Sequence, residues 1–230
     1  MNRDEIRAAL KDMADADFLK FHAALCPGCH NILGIRTPKL KAFAKTLSKE
    51  TDILNYMNAP LFDYAEEIML FGFILSNLKM SDEARLPYLQ TFVSHITSWA
   101  VCDSPTAAFK FIKKNRSFYE PVIRAYLQST REYEVRFAIV ALLDHYMTED
   151  YIDDILDIMS TIDNDAYYVK MAVAWTLSVC YVHFPKKTLP LIESKTLDTF
   201  VHNKTIQKIC ESLRVSKEDK EKLRLLKNEK

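Results

Sequence analysis

Only three glycines, Gly28, Gly34 and Gly72, occur in 230 residues, and this scarcity constrains the fold more than any motif does. A sheet protein needs glycine at the tight turns where φ is positive, so a chain this poor in it is built of helices. The eight prolines agree. Several stand where an apolar-periodic segment opens, as in Thr37-Pro38, Ser104-Pro105 and the turn before Pro121, and proline is tolerated at the first helical position. The periodicity predicts helices over 38–48, 62–78, 105–114, 118–128, 132–146, 166–182 and 197–213, among others. Segments 62–78, 132–146 and 166–182 are apolar nearly all round, which marks burial on two sides, whereas their neighbours are amphipathic and belong to outer layers.

Successive helix pairs open near Phe62, Trp99, Tyr133 and Tyr168, at intervals of about 35–43 residues, the period of HEAT-like arrays. The expected fold is therefore all-α, a curved right-handed solenoid of antiparallel HEAT-like helix pairs. No low-complexity linker divides it, so a single domain over 1–230 is expected, with the charged tail 216–230 the place to fray.

Thirty-one basic and 31 acidic residues balance, so no net charge draws the whole molecule to nucleic acid or to an anionic membrane. The neutral total hides local polarity. Residues 36–49 carry Arg36, Lys39, Lys41, Lys45 and Lys49 without an acid, and Lys110, Lys113, Lys114 and Arg116 cluster further on. Residues 150–165 instead carry Asp150, Asp153, Asp154, Asp157, Asp163 and Asp165 without a base. The N-terminus bears charge where a signal peptide needs an apolar run, and no segment approaches the length of a membrane span. A cytoplasmic protein with reduced cysteines is the expectation.

The most literal motif is Cys26-Pro27-Gly28-Cys29-His30. Its spacing is that of a covalent haem site, a redox pair or half a zinc site. A structural zinc site needs a second ligand pair, however, and Cys102, Cys180 and Cys210 stand singly. The reading adopted is a turn in which Pro27 and Gly28 end one helix and reverse the chain, with no metal and no cofactor.

Four other residues gain meaning from repeat spacing. Trp99 and Trp175 lie two repeats apart with Arg136 midway, and residues one repeat apart point in similar directions from neighbouring units. Asp103 follows Trp99 by four positions, so a helical turn there puts indole and carboxylate on one face. Each residue also has a plainer reading: the tryptophans as core filler, Asp103 as a cap on a helix opening at Pro105, and Arg136 as the ion-pair partner of Glu132.

In four segments the chain resembles the AlkD-type DNA alkylation-repair glycosylases, which are built from HEAT-like repeats. These are Asn31–Pro38 (NILGIRTP) followed by a basic helix, Ser98–Ser104 (SWAVCDS), Val135–Leu143 (VRFAIVALL) and Tyr168–Trp175 (YVKMAVAW). The resemblance implies hydrolysis of the N-glycosidic bond of cationic alkylpurines such as 3-methyladenine and 7-methylguanine in duplex DNA, without swinging the base out of the helix. It implies that Asp103 stabilises the oxocarbenium-like sugar and positions the water, and that Trp99 and Trp175 pack against the lesion's sugar and backbone. Arg136 would then meet a phosphate, with Lys39, Lys41, Lys45, Lys110 and Lys170 as further phosphate contacts. A base that leaves already cationic needs no protonation, so one carboxylate suffices where glycoside hydrolysis ordinarily uses two. The expected partner is duplex DNA containing alkylated bases, bound by a monomer and with no membrane involved. The alternative is a non-catalytic HEAT-repeat module that binds nucleic acid or protein.

Overall fold

A computed structural model describes residues 1–26, 29 and 31–228. The described residues are all-α, without a strand, and divide into two compact units, Met1–Phe118 and Tyr119–Lys230. The division falls within a helix rather than a linker, which is why composition gives no sign of it. No helix among the described residues is long and apolar enough to cross a membrane.

The first unit contains α1 (Arg3–Asp12), α2 (Ala16–Leu25), α3 (Thr37–Leu47), α4 (Ile53–Asn58), α5 (Ala65–Asn77), α6 (Asp82–Ser94), α7 (Trp99–Ala108) and α8 (Lys110–Lys114). Its centre is α5, buried from Ala65 through Leu75, with α3 and α7 on either side and α6 behind. Gly72 permits this spacing. A Cβ there would lie 2.7 Å from Pro105 of α7 and 2.9 Å from Phe92 of α6, closer than packed atoms allow.

The N-terminal end of α5 also builds the loop that launches the basic helix. Glu66 is 1% exposed, and its carboxylate accepts from the backbone N–H groups of Leu33 (3.0 Å), Gly34 (2.8 Å) and Ile35 (3.2 Å). Gly34 must be glycine twice over. Its φ is +79°, and a Cβ would meet Leu19 at 2.6 Å. With the loop so fixed, Pro38 enters the first turn of α3, as its missing N–H favours.

The second unit follows with most of α9 (Arg116–Leu127), then α10 (Glu132–His145), α11 (Ile152–Thr161), α12 (Tyr167–His183), α13 (Pro185–Glu193), α14 (Thr199–Glu211) and α15 (Lys217–Arg224). Helices α10, α12 and α14 pack side by side, while α11 and α13 cover α12 and touch each other. Alternate helices thus form an inner row with an outer row behind it, the layering expected of HEAT-like pairs. The charged tail is helical over α15 and is tied down by Leu223, which is 1% exposed in a cluster with Tyr181, Ile192, Ile206 and Ile209.

Two expected helix starts are corrected. The segment expected at 105–114 is two helices, because Ser98 rather than Ser104 supplies the cap: its hydroxyl accepts from the Val101 N–H at 3.3 Å and starts α7 at Trp99. Pro105 then falls inside α7, and Phe109 ends it. Likewise Pro121 lies inside α9, which opens at Arg116.

Candidate functional site

In the first unit the site residues belong to α7. Since Ser98 caps that helix, Asp103 is an interior residue one turn after Trp99, and its reading as a cap is excluded. Indole and carboxylate share a helical face, and both side chains are half-buried. Trp99 is not core filler. It is held in place by its own donor, the indole Nε1–H giving a hydrogen bond of 3.3 Å to the carbonyl of Leu25, the last residue of α2.

The next residue along, Cys26, also meets α7. It is 2% exposed and receives a hydrogen bond from the Ala100 backbone, in the first turn where helical N–H groups lack partners. Burial, reinforced by the neighbouring Cys29 and with a smaller contribution from Asp103, pushes the Cys26 thiol up to about 12. Both cysteines are free thiols. The opening cysteine of the CPGCH motif therefore supports the helix that carries Trp99 and Asp103. The expected turn at Pro27 and Gly28, and His30 with it, lie outside the described residues.

The lysines of α3 stand as a free basic surface. Lys39, Lys41 and Lys45 are exposed, and none forms an ion pair with a described residue. Lys41 lies 5.2 Å from the centre of the Phe73 ring, while Lys45 borders a depression of about 610 Å³ together with Lys49 and Lys79. Lys110, the first residue of α8, is exposed as well.

In the second unit the site residues sit on α10 and α12. Arg136 is only 5% exposed, and its Nη1 donates to the carbonyl of Tyr168 at 2.7 Å. Glu132 accepts from the N–H of the same Tyr168 at 2.7 Å, so two residues one turn apart on α10 grip both backbone polar groups of one residue of α12. Arg136 is thus a fixed, buried cation and not a mobile surface one. Trp175, half-buried on α12, walls a cleft of about 360 Å³ whose opposite side is formed by α14 and the residues after it.

Lys170 stands apart from the other expected phosphate contacts. Its ammonium bonds Asp165 at 2.8 Å and Asp198 at 3.3 Å, and these partners, Asp165 first, hold it above the ordinary lysine range. A lysine already bridged by two carboxylates is less available to a phosphate than an unpaired one. Sequence reasoning also missed Lys208, which lies in the Trp175 cleft. A signal for it exists: Val201, Thr205 and Lys208 recur at the i, i+4, i+7 spacing of the buried stripe of α14, a position that ordinarily takes an apolar residue.

Residues 6–213 match the model of a family described as DNA alkylation repair enzyme. No curated protein matches the chain.

Proposed function

The chain belongs to the DNA alkylation repair enzyme family, and on that premise we propose that it is a DNA glycosylase hydrolysing the N-glycosidic bond of positively charged alkylpurines in duplex DNA. Membership makes it a DNA repair protein with DNA as its substrate. The observation that carries the finer reading is the pairing of Trp99 with Asp103, one turn apart on α7 and both partly exposed.

The chemistry follows from charge. In 7-methylguanine or 3-methyladenine the base is a cation, and cleavage of the bond from C1′ to the base nitrogen sends the electron pair to the base, which leaves neutral. Positive charge develops on C1′ and the ring oxygen of the sugar. A carboxylate at Asp103 opposes that charge, and the indole face of Trp99 offers it a second, weaker attraction. Water then adds to C1′ and gives up a proton, for which Asp103 is the nearby acceptor. No acid is needed for the leaving group, so one carboxylate completes the step. The half-exposure of Asp103 suits it to reach a solvent-borne nucleophile.

The exposed α3 lysines provide the complementary surface for phosphates, where binding gains by counterion release. Incubation of the protein with methylated duplex DNA, with mass spectrometry of the freed bases, tests the proposal. Release of 7-methylguanine or 3-methyladenine is expected. DNA binding without any freed base would leave the non-catalytic module instead.

A further inference from the structure

We propose that the cleft between α12 and the end of α14 is a phosphodiester site, in which Lys208 and Arg214 hold a DNA backbone phosphate against the wall formed by Trp175. The identity of the anion rests on the DNA-repair reading above; the need for an anion rests on the cleft itself.

Lys208 is the centre of the case. It is half-buried, and its ammonium makes neither a hydrogen bond nor an ion pair with any described residue. Burying a charge without a partner is costly, and proteins ordinarily pair it. The acid nearest in sequence does not do so. Glu211, one turn on, is exposed, and its carboxylate accepts instead from Gln207 at 2.9 Å. The charges around Lys208 act in both directions. Burial holds it below the ordinary lysine range; Glu211 is the strongest charge acting on it and opposes that shift, while Lys204 on α14 and then Arg136 on α10 add to it by repulsion.

Besides Glu211, the cleft carries further nitrogen donors. Arg214 is exposed, and its guanidinium makes no ion pair with a described residue. His183 stands exposed at the opposite edge. Ser178 uses its hydroxyl proton on the Trp175 carbonyl at 2.7 Å, which leaves the two cations as the strong donors. An anion entering between them would supply the direct partner that Lys208 lacks, and a planar guanidinium beside an ammonium suits phosphate oxygens. The indole wall favours a nucleic-acid strand over a free anion, since aromatic faces accept the sugar and base that follow a phosphate.

The test uses the full chain and an unmodified duplex oligonucleotide, so that no chemistry enters. Affinity is measured across salt concentration for wild type, Lys208→Gln, Lys208→Arg and Arg214→Gln. The inference expects Lys208→Gln to weaken binding by roughly tenfold at low salt and to make the slope of log K against log salt shallower by about 0.9, the loss of one phosphate contact. Lys208→Arg should restore the slope. Arg214 is exposed, so Arg214→Gln folds as wild type does and provides an independent reading of the same loss. Unchanged affinity and slope in both Gln variants, with wild type still binding, would overturn this site alone. Failure of wild type to bind duplex DNA at low salt would overturn both this inference and the proposed function.

Discussion

Arg136 donates to the carbonyl of Tyr168 across 2.7 Å, joining α10 to the first turn of α12. Any contact of this guanidinium with a phosphate is made by a group that is already part of the protein's frame. Arg136→Ala would remove a partly buried, charge-assisted hydrogen bond between α10 and α12, a loss of about 2 kcal/mol. The melting temperature should fall by roughly 4–8 °C for a chain of this size. A calorimetric scan checks this, and an unchanged melting temperature would mean that Arg136 serves only the ligand.

Glu66 supports the loop before α3 in a comparable way, with three backbone N–H groups converging on its carboxylate. Glu66→Gln keeps the shape but points an amide donor at donors, at a cost of about 2–3 kcal/mol. Hydrogen exchange at the amides of Leu33, Gly34 and Ile35 should accelerate more than elsewhere in the first unit. Unaltered exchange there would show that the loop is held by other contacts.

The Cys26 thiol, pushed up to about 12, should resist alkylating reagents. At pH 8 its thiolate fraction is on the order of a thousandfold below that of an ordinary cysteine. Time-resolved iodoacetamide labelling read by mass spectrometry should therefore modify the partly exposed Cys29 first and leave Cys26 intact until the first unit opens. The sign of the pH effect is fixed by the raised value: the thiol stays neutral through the physiological range, and raising pH activates Cys26 only as it approaches 12. Labelling of Cys26 at the rate of Cys29 would contradict its burial against Ala100.

The lysines divide into two groups that mutagenesis can separate. Changing Lys39, Lys41 and Lys45 together to Glu should weaken duplex binding by several orders of magnitude at low salt and flatten its salt dependence by about 0.9 per lost contact. Lys170→Gln should leave that slope unchanged, because Lys170 is already bridged to Asp165 and Asp198. Equal slopes for the triple variant and wild type would place the DNA path away from α3.

Much of this was legible before any coordinate. The glycine count and the apolar run 62–78 already marked an all-helical chain with α5 at an inner position, because burial on two sides leaves a signature in composition. The four-residue spacing from Trp99 to Asp103 was readable as one helical face. What local sequence concealed was set by distant partners. Ser104-Pro105 has the form of a helix start, yet Ser98 takes that role, and Pro105 is accommodated where Gly72 leaves room for it. The expected Arg136–Glu132 relation became a joint grip on Tyr168, more than thirty residues along the chain. Lys170 matched a motif but is paired with Asp165 and, from further along the chain, with Asp198, and CPGCH matched several site types while its first cysteine helps to support α7. Charge partners and helix caps of this kind depend on which elements pack together, and no periodicity records that.

The account stands on Asp103 as the carboxylate that meets developing charge at C1′. The most direct test is single-turnover release of 7-methylguanine from a methylated duplex, comparing wild type with Asp103→Asn at saturating protein. Asparagine keeps the size of the side chain and removes its charge, so folding and duplex affinity should be retained while the rate falls about 10²–10³-fold. An Asp103→Asn protein that releases the base at the wild-type rate would contradict the central claim.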